Sequence, residues 1–480
     1  MSFFARLIAL LCLIVTSACA PHSERAPSSE RTETVTLQFP DKFKWCTATS
    51  GYQVEGNNDN TNWRDWEEKG MVLQKQKSGA SADHWRLMMD DIALIKNSGV
   101  KLYRMSVEWS RIEPREGQID PGAIEHYKKF IDQLQASGIE VSITLHHFTH
   151  PRWVEEHGAW AWKGFPSAFA NFAKVVSTQV APRVKDWYTL NEPMVVMLGG
   201  YVSGELPPGK KLPMKAVYVI YKNMILAHAA AYKVMHAEAT KRKQPLRVGI
   251  AQHLRLFSPY AWWSITDRMS ASTADDFFNW SLPDVLTTGH LVMKIPTQIN
   301  IEEDIPEARN TLDFFGVNYY AGARLSFNPF LVKTPQLVPR KGQLTDIGWE
   351  IYPQGFLPIL RQVSQRYPNR AIVISENGVA DAKDVLRKRF IRDHAFYLYQ
   401  ALQEKIPVEG YCYWALMDNF EWKEGFMARF GLYAVDFKTL ERKLRPGGEY
   451  YRDLARSNAL TVKVIRDGRG GMSLAEEDRF

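Results

Sequence analysis

The sequence predicts an α/β protein: a single (β/α)8 barrel with enlarged loops after its strands. Eight short β-rich runs alternate with amphipathic stretches along the body of the chain, the pattern of parallel βα units. No low-complexity linker divides that body from about residue 39 onward. No Gly-rich phosphate loop follows any of the runs, which argues against a doubly wound open sheet.

Ahead of the body, residues 1–18 carry one cation, Arg6, then an apolar run over 7–15 and small residues up to Cys19. This is the layout of a signal peptide, and the run is too short to span a bilayer as a mature helix. The ending Thr16-Ser17-Ala18-Cys19 resembles a bacterial lipobox, with Thr16 where Leu is usual and Cys19 as the lipidated residue. A cut after Ala20 is the rival, disfavoured by Pro21. The expectation is an exported lipoprotein that meets the membrane only through this N-terminal anchor and faces the periplasm or cell surface. Residues 19–38, rich in Ser, Glu, Arg, Thr and Pro, read as a flexible tether. The barrel domain follows over 39–465, and the Gly-rich, charged stretch 466–480 is expected to be a disordered tail. Within the domain the predicted strands are 43–48, 101–106, 140–145, 184–190, 247–252, 313–317, 371–375 and 409–414. Amphipathic stretches at 83–98, 124–137, 169–180 and 212–242 supply helices between them.

Composition excludes several function classes. With 45% hydrophobic and 24% charged residues in 480, the chain has too much to bury for a disordered protein. A mean hydropathy of −0.30, with the only long apolar run at the N-terminus, excludes a polytopic membrane protein. The net charge of +7 is spread among interleaved acids, and the densest basic runs, 383–392 and 442–445, read as solvated faces. No nucleic-acid partner is expected. Four Cys make no disulfide scaffold, and none is spaced from His as a metal ligand would be; no metal or organic cofactor is expected. Cys46 and Cys412 read as two buried thiols, a bridge being the alternative for an exported chain. The 15 Trp suit either stacking platforms for flat rings or a large core, and composition does not choose.

In a barrel of this kind, chemistry sits where strands end and loops begin. The fourth strand runs into Asn191-Glu192-Pro193 and the seventh into Ser375-Glu376-Asn377-Gly378, placing one Glu at each strand end. Two carboxyls in different environments on facing strands are what glycoside hydrolysis needs: one protonated acid and one ionised nucleophile or base. A single strand-end Glu could equally cap a helix, so the pair carries more weight than either residue.

These two motifs, with Gly410-Tyr411-Cys412-Tyr413-Trp414-Ala415-Leu416-Met417-Asp418-Asn419-Phe420-Glu421-Trp422 and Arg429-Phe430-Gly431-Leu432, resemble glycoside hydrolase family one from Phe39 to about Ala459. That is a family of retaining β-glucosidases and β-galactosidases on a (β/α)8 barrel. The resemblance implies a retaining exo-β-glycosidase acting on β-glucosides, with β-galactosides or β-fucosides as further substrates. It implies Glu192 as acid/base and Glu376 as nucleophile, with carboxyls about 5–5.5 Å apart. It assigns Arg104 and Tyr320 to the support of Glu376, and Asn191 to the sugar 2-hydroxyl. Gln53 would grip two adjacent hydroxyls, His147 the 3-hydroxyl and Glu421 the hydroxyls at positions four and six. Trp414 would be the stacking floor, with Trp422 beside Glu421, Phe430 near the hydroxymethyl group and Trp349 on the leaving-group side.

The chain departs from the family pattern in places. Phe148 stands where Trp is usual, Cys46 where Gly is common, and 57–66 lacks the usual Gly-rich wording. These departures bear on which sugar and aglycone are preferred, not on the reaction type. Glu421 stands where phospho-glycosidases carry Ser, and its charge would repel a phosphate. A transglycosylase on the same scaffold is the alternative activity. A non-catalytic sugar-binding protein is disfavoured because both Glu192 and Glu376 are present.

Overall fold

A computed structural model describes residues 32–328, 335–340, 342–466 and 471–475. Eight parallel strands close a barrel: β1 (Lys44–Ala48), β2 (Leu102–Ser106), β3 (Glu140–His146), β4 (Asp186–Asn191), β5 (Arg247–His253), β6 (Phe314–Asn318), β7 (Ala371–Asn377) and β8 (Val408–Trp414). They pair in chain order, and β8 returns to β1 to complete the ring. Each lies within two residues of its predicted bounds. The strands are buried along nearly their whole length, so they read in sequence as apolar runs rather than alternating ones.

Helices cover the strands as the amphipathic stretches require. Pro121–Ala136 begins at Asp120, whose carboxylate accepts from the N–H groups of Gly122 and Ala123, with Pro121 at the first helical position. The long helix Met214–Lys241 packs along Phe165–Val175, burying Val217, Ile220, Tyr221 and Met224 at helical spacing. Six Trp are fully buried: Trp45, Trp63, Trp109, Trp160, Trp187 and Trp280. Trp109 stacks on Phe172 at 5.0 Å and meets Trp153 edge-on at 5.6 Å. Much of the Trp content is therefore core.

Apart from one break at Ile372/Val373 near the start of β7, the breaks in strand register fall where the strands end. β4 and β5 lose register between Tyr188 and Asn191, β6 and β7 between Val317 and Asn318, and β7 and β8 between Ile374 and Asn377. Irregularities of this kind re-aim side chains, and here they involve Asn191, Asn318 and the segment containing Glu376.

Three expectations are corrected. Thr32–Gln38, assigned to the tether, is a strand in which Thr, Val and Leu alternate and Leu37 is buried. It forms a separate three-stranded sheet with Ala459–Arg466 and Met472–Leu474, so the segment after 466 is not wholly disordered either. Overall polarity hides a two-residue alternation of this kind. Residues 36–460 form one compact unit, and the flanking segments form another. Cys46 and Cys412 are bridged rather than two thiols. Closure of the barrel sets them opposite each other across β1 and β8, although they are 366 residues apart. The expected signal peptide, Cys19 and the tether ahead of Thr32 lie outside the described residues. Among the described residues, no helix is long and apolar enough to cross a membrane.

The approach of β7 to β8 at their C-terminal ends admits no side chain at Gly378, where a Cβ would lie 1.9 Å from the Trp414 carbonyl oxygen. Gly378→Ala is expected to cost about 3 kcal/mol of stability. Thermal unfolding of the two proteins checks this; an unchanged midpoint would show that the strands can separate there at little cost.

Candidate active site

Glu192 follows the last residue of β4 and precedes the short helix Pro193–Leu198. Its backbone is left-handed, with φ 45° and ψ 54°, which costs a non-glycine residue about 1 kcal/mol. The conformation is held from β5, where the Ala251 carbonyl accepts the Glu192 N–H at 2.7 Å. The Asn318 side-chain amide, at the end of β6, donates to the Glu192 carboxyl at 2.8 Å. Phe148 and Trp422, on other walls of the same cavity, are also left-handed, at φ 72° and 48°. Such strain persists where the surroundings over-determine it, as at functional sites.

Glu376, near the end of β7, is held by two donors. Arg104 on β2 donates to one oxygen at 2.5 Å and the Tyr320 hydroxyl to the other at 2.7 Å. The same guanidinium donates to the Ser375 carbonyl at 3.1 Å, Asn191 Oδ1 at 2.8 Å and Thr144 Oγ1 at 3.2 Å. Asn318 also donates to Asn191 Oδ1 at 3.2 Å and accepts from the Ser375 hydroxyl at 2.7 Å. An unbroken chain of polar contacts thus links the two carboxyls through Asn318, Asn191 and Arg104.

Burial pushes the Glu376 carboxyl up to about 7; Arg104 opposes this and the charge of Glu192 adds to it. For Glu192, burial also works upward, but a charged His253, 3.3 Å away, and the Asn318 amide outweigh it and turn the net direction down. Arg255 Nε–H donates to the other side of the same ring, at His253 Nε2, 3.2 Å away. Two carboxyls this strongly coupled lose their protons as a pair, in two steps.

The remaining predicted residues gather around the same space. A cavity of about 490 Å³ is lined by every one of them except Gln53 and Arg104, which contact the lining through hydrogen bonds, and Cys19, which lies outside the described residues. Gln53, on the helical turn Gly51–Glu55, has its Nε2 at 3.0 Å from Asn419 Oδ1, the Phe420 carbonyl and Glu421 Oε2. Its Oε1 is buried with no protein partner among the described residues, as is His147 Nδ1. His147 Nε2 accepts from Asn191 Nδ2 at 3.1 Å, and burial with the nearby Arg104 cation holds the ring well below its ordinary pKa. The neutral ring therefore keeps its proton on Nδ1, free to donate to a ligand hydroxyl. The His147 ring stacks near Trp414 and Trp422, with centroids at 5.7 and 6.0 Å. Phe148 lies 4.9 Å from Trp422, and Tyr320, Trp349 and Phe430 form a triangle with sides of 5.5, 6.1 and 6.2 Å. Buried acceptors and a neutral imidazole beside aromatic faces suit a polyhydroxylated ring.

Sequence reasoning passed over Asn318, His253 and Arg255. Asn318 was in view as the neighbour of Tyr319-Tyr320, and the other two directly end or follow β5. The rule that singled out Glu192, reading the polar residues after each strand, would have found both. Among the described residues, no group of three or more His, Cys, Asp or Glu side chains is arranged to hold a metal ion. A larger groove of about 1190 Å³ beside the hairpin His290–Ile295/Ile299–Asp304 shares no residue with the cavity.

A closed (β/α)8 barrel with a coupled pair of buried carboxyls at its strand ends, inside a hydroxyl-binding pocket, defines an O-glycosyl hydrolase. Residues 35–460 match glycosyl hydrolase family 1, and the chain belongs to that family. It is 32% identical over 456 residues to the 1,4-beta-D-glucan glucohydrolase of Thermotoga neapolitana, covering 88% of this chain and 99% of that one. Among solved structures, the family 1 β-glucosidase from Thermotoga maritima superposes with a TM-score of 0.82 at 29% identity, over 88% of this chain and 99% of its own. The β-glycosidase from Pyrococcus horikoshii gives 0.81 at 35% identity, over 93% and 100%.

Burial, with Glu376 nearby, pushes the Glu421 carboxyl up to about 8 from an ordinary value of 4.5. A carboxyl raised by folding favours the native state only while protonated, so it costs stability increasingly as pH climbs from 4.5 towards 8. Glu421→Gln is expected to melt higher than the parent at pH 7, with the gain vanishing near pH 4. Melting scans across this range check the sign; a variant that melts lower at pH 7 would contradict it.

Proposed function

We propose that the chain releases β-linked glucose from the non-reducing end of its substrates by double displacement with retention. The observation that carries this reading is the different support given to two buried carboxyls. Glu376 has a guanidinium and a phenol donating to it, whereas Glu192 has the neutral Asn318 amide at 2.8 Å and the His253 ring at 3.3 Å. Two donors to its oxygens suit Glu376 to the nucleophile's role, and the lighter support of Glu192 suits it to the acid/base role.

In the first step Glu192 gives its proton to the glycosidic oxygen while a Glu376 oxygen bonds to the anomeric carbon and the bond to the leaving group breaks. In the second, the Glu192 carboxylate takes a proton from water as its oxygen bonds to that carbon, and the ester to Glu376 breaks. Asn191 Oδ1 already accepts from Arg104 and Asn318, and its Nδ2 donates to His147. One N–H remains for the sugar 2-hydroxyl, where hydrogen bonding strengthens in the transition state. Gln53, His147 and Glu421 take the other hydroxyls over the Trp414 face. The glucan glucohydrolase and β-glucosidase named above support glucose as the sugar. The lipobox at Cys19 supports anchoring at a bacterial membrane.

A 2-deoxy-2-fluoro-β-glucoside with an activated leaving group is expected to label Glu376, read by peptide mass spectrometry; labelling of another residue would overturn the assignment. Glu192→Gln should lower kcat/KM by about 10²–10⁴ for alkyl glucosides, and far less for dinitrophenyl glucoside, which leaves without protonation. Equal losses on both substrates would argue against the acid role. Cys19→Ser is expected to move the protein from the membrane to the soluble fraction on export.

A further inference from the structure

Arg255 is a cation in the wall of the cavity that the two-step reaction does not use. Its backbone is fixed from both sides by the fully buried Asn279: Arg255 N–H donates to Asn279 Oδ1 at 3.1 Å, and Asn279 Nδ2 donates to the Arg255 carbonyl at 2.7 Å. Asn279 is itself held by Asp275 at 2.6 Å. The partly buried side chain makes one hydrogen bond, from Nε to His253, so both terminal amino groups are left over. No carboxylate among the described residues pairs with it. The other cations are committed, Lys423 to Glu205 at 2.8 Å and Arg104 to Glu376.

Its position decides which part of a substrate it meets. Arg255 touches His253, which lies 3.3 Å from Glu192, whereas the hydroxyl-binding groups Gln53, His147 and Glu421 come from the segments after β1, β3 and β8. Glu192 is the group assigned to the leaving-group oxygen, so what reaches Arg255 is the leaving group and not the bound sugar. Phe278 lies 5.7 Å from the His253 ring and 5.9 Å from Phe257, and Leu337 and Trp349 line the same cavity. The carboxyls whose charge acts on Arg255 are Glu192, the assigned acid, and Glu350, which is paired with Arg340. Glu205 is paired with Lys423, and Glu424 belongs to the turn Trp422–Glu424. A guanidinium withdrawn from water without a counter-ion is costly, and its two amino groups match a carboxylate.

We infer that Arg255 determines leaving-group specificity and that the preferred β-glucosides carry a carboxylate on an apolar, aromatic aglycone. This rests on the proposed retaining β-glucosidase reaction and adds the substrate class. The test uses paired 3- and 4-(carboxymethyl)phenyl and (carbamoylmethyl)phenyl β-glucosides, which differ in charge and little in shape or phenol acidity. For the better-bound isomer, kcat/KM for the carboxylate should exceed that for the amide by roughly tenfold, the size of a hydrogen-bonded charge pair. The ratio should fall to about 1 in Arg255→Gln and be partly kept in Arg255→Lys. A parent ratio at or below 1 overturns the inference. So does a ratio unchanged in Arg255→Gln with both substrates slowed alike, which would make Arg255 a positioning residue acting through His253. Hydrolysis of the amide with retention keeps the underlying reaction standing in either case; no hydrolysis of either substrate overturns both.

Discussion

The site depends on one buried cation. Arg104 is 1% exposed, and a guanidinium in that position must be matched by charge and by acceptors or the fold would bear its full desolvation cost. It is matched from three other strands: Thr144 on β3, Asn191 on β4, and both the Ser375 carbonyl and the Glu376 carboxylate on β7. One charge on β2 therefore fixes side chains on β3, β4 and β7. It sets where Glu376 stands and, through Asn191 and Asn318, where Glu192 stands.

The same charge explains why three carboxyls can share one small cavity. Glu192, Glu376 and Glu421 repel one another, and burial opposes the charge of each. One guanidinium cannot neutralise three anions, so burial still raises Glu376 and Glu421 although Arg104 opposes it at Glu376. Glu376 has the best donors. Glu421 lies beside Gln53, whose amide supplies a neutral hydrogen bond, and its carboxyl rises accordingly. Burial holds Glu376 up at about 7 and Glu421 at about 8, while the neighbours of Glu192 draw it down. The site carries these raised carboxyls at a cost in stability as pH climbs, because a carboxyl whose proton is held by the fold works against it once the unfolded chain would ionise.

How much of this could be read from sequence follows from the range of each interaction. The eight strands were legible because parallel strands buried on both faces leave unbroken apolar runs, and Glu192 and Glu376 because they stand directly after such runs. Whether Cys46 and Cys412 are bridged was not legible: it depends on the register with which β8 closes onto β1, a property of the whole ring. The strand Thr32–Gln38 was hidden because its composition is polar although its pattern alternates. Nor did the Trp count separate core from platform. Trp109 and Trp414 look alike in sequence, and only the packing shows one deep among aromatic rings and the other facing the cavity.

The two arginines of the cavity mark its two ends by the way each charge is treated. Arg104 is saturated by acceptors from the protein, leaving nothing for a ligand to contribute; its task is to hold groups in place. Arg255 has a backbone as firmly fixed, through Asn279, but a guanidinium with one protein acceptor. A chain that only needed to orient His253 could do so with a neutral donor and avoid burying a charge. The departures from the family wording also concern substrate preference and not the two glutamates: Phe148 stands in the cavity wall where Trp is usual, while the motifs around Glu192 and Glu376 are intact. The reaction centre is closed and internally satisfied. The cavity remains electrostatically incomplete on the side from which the leaving group departs.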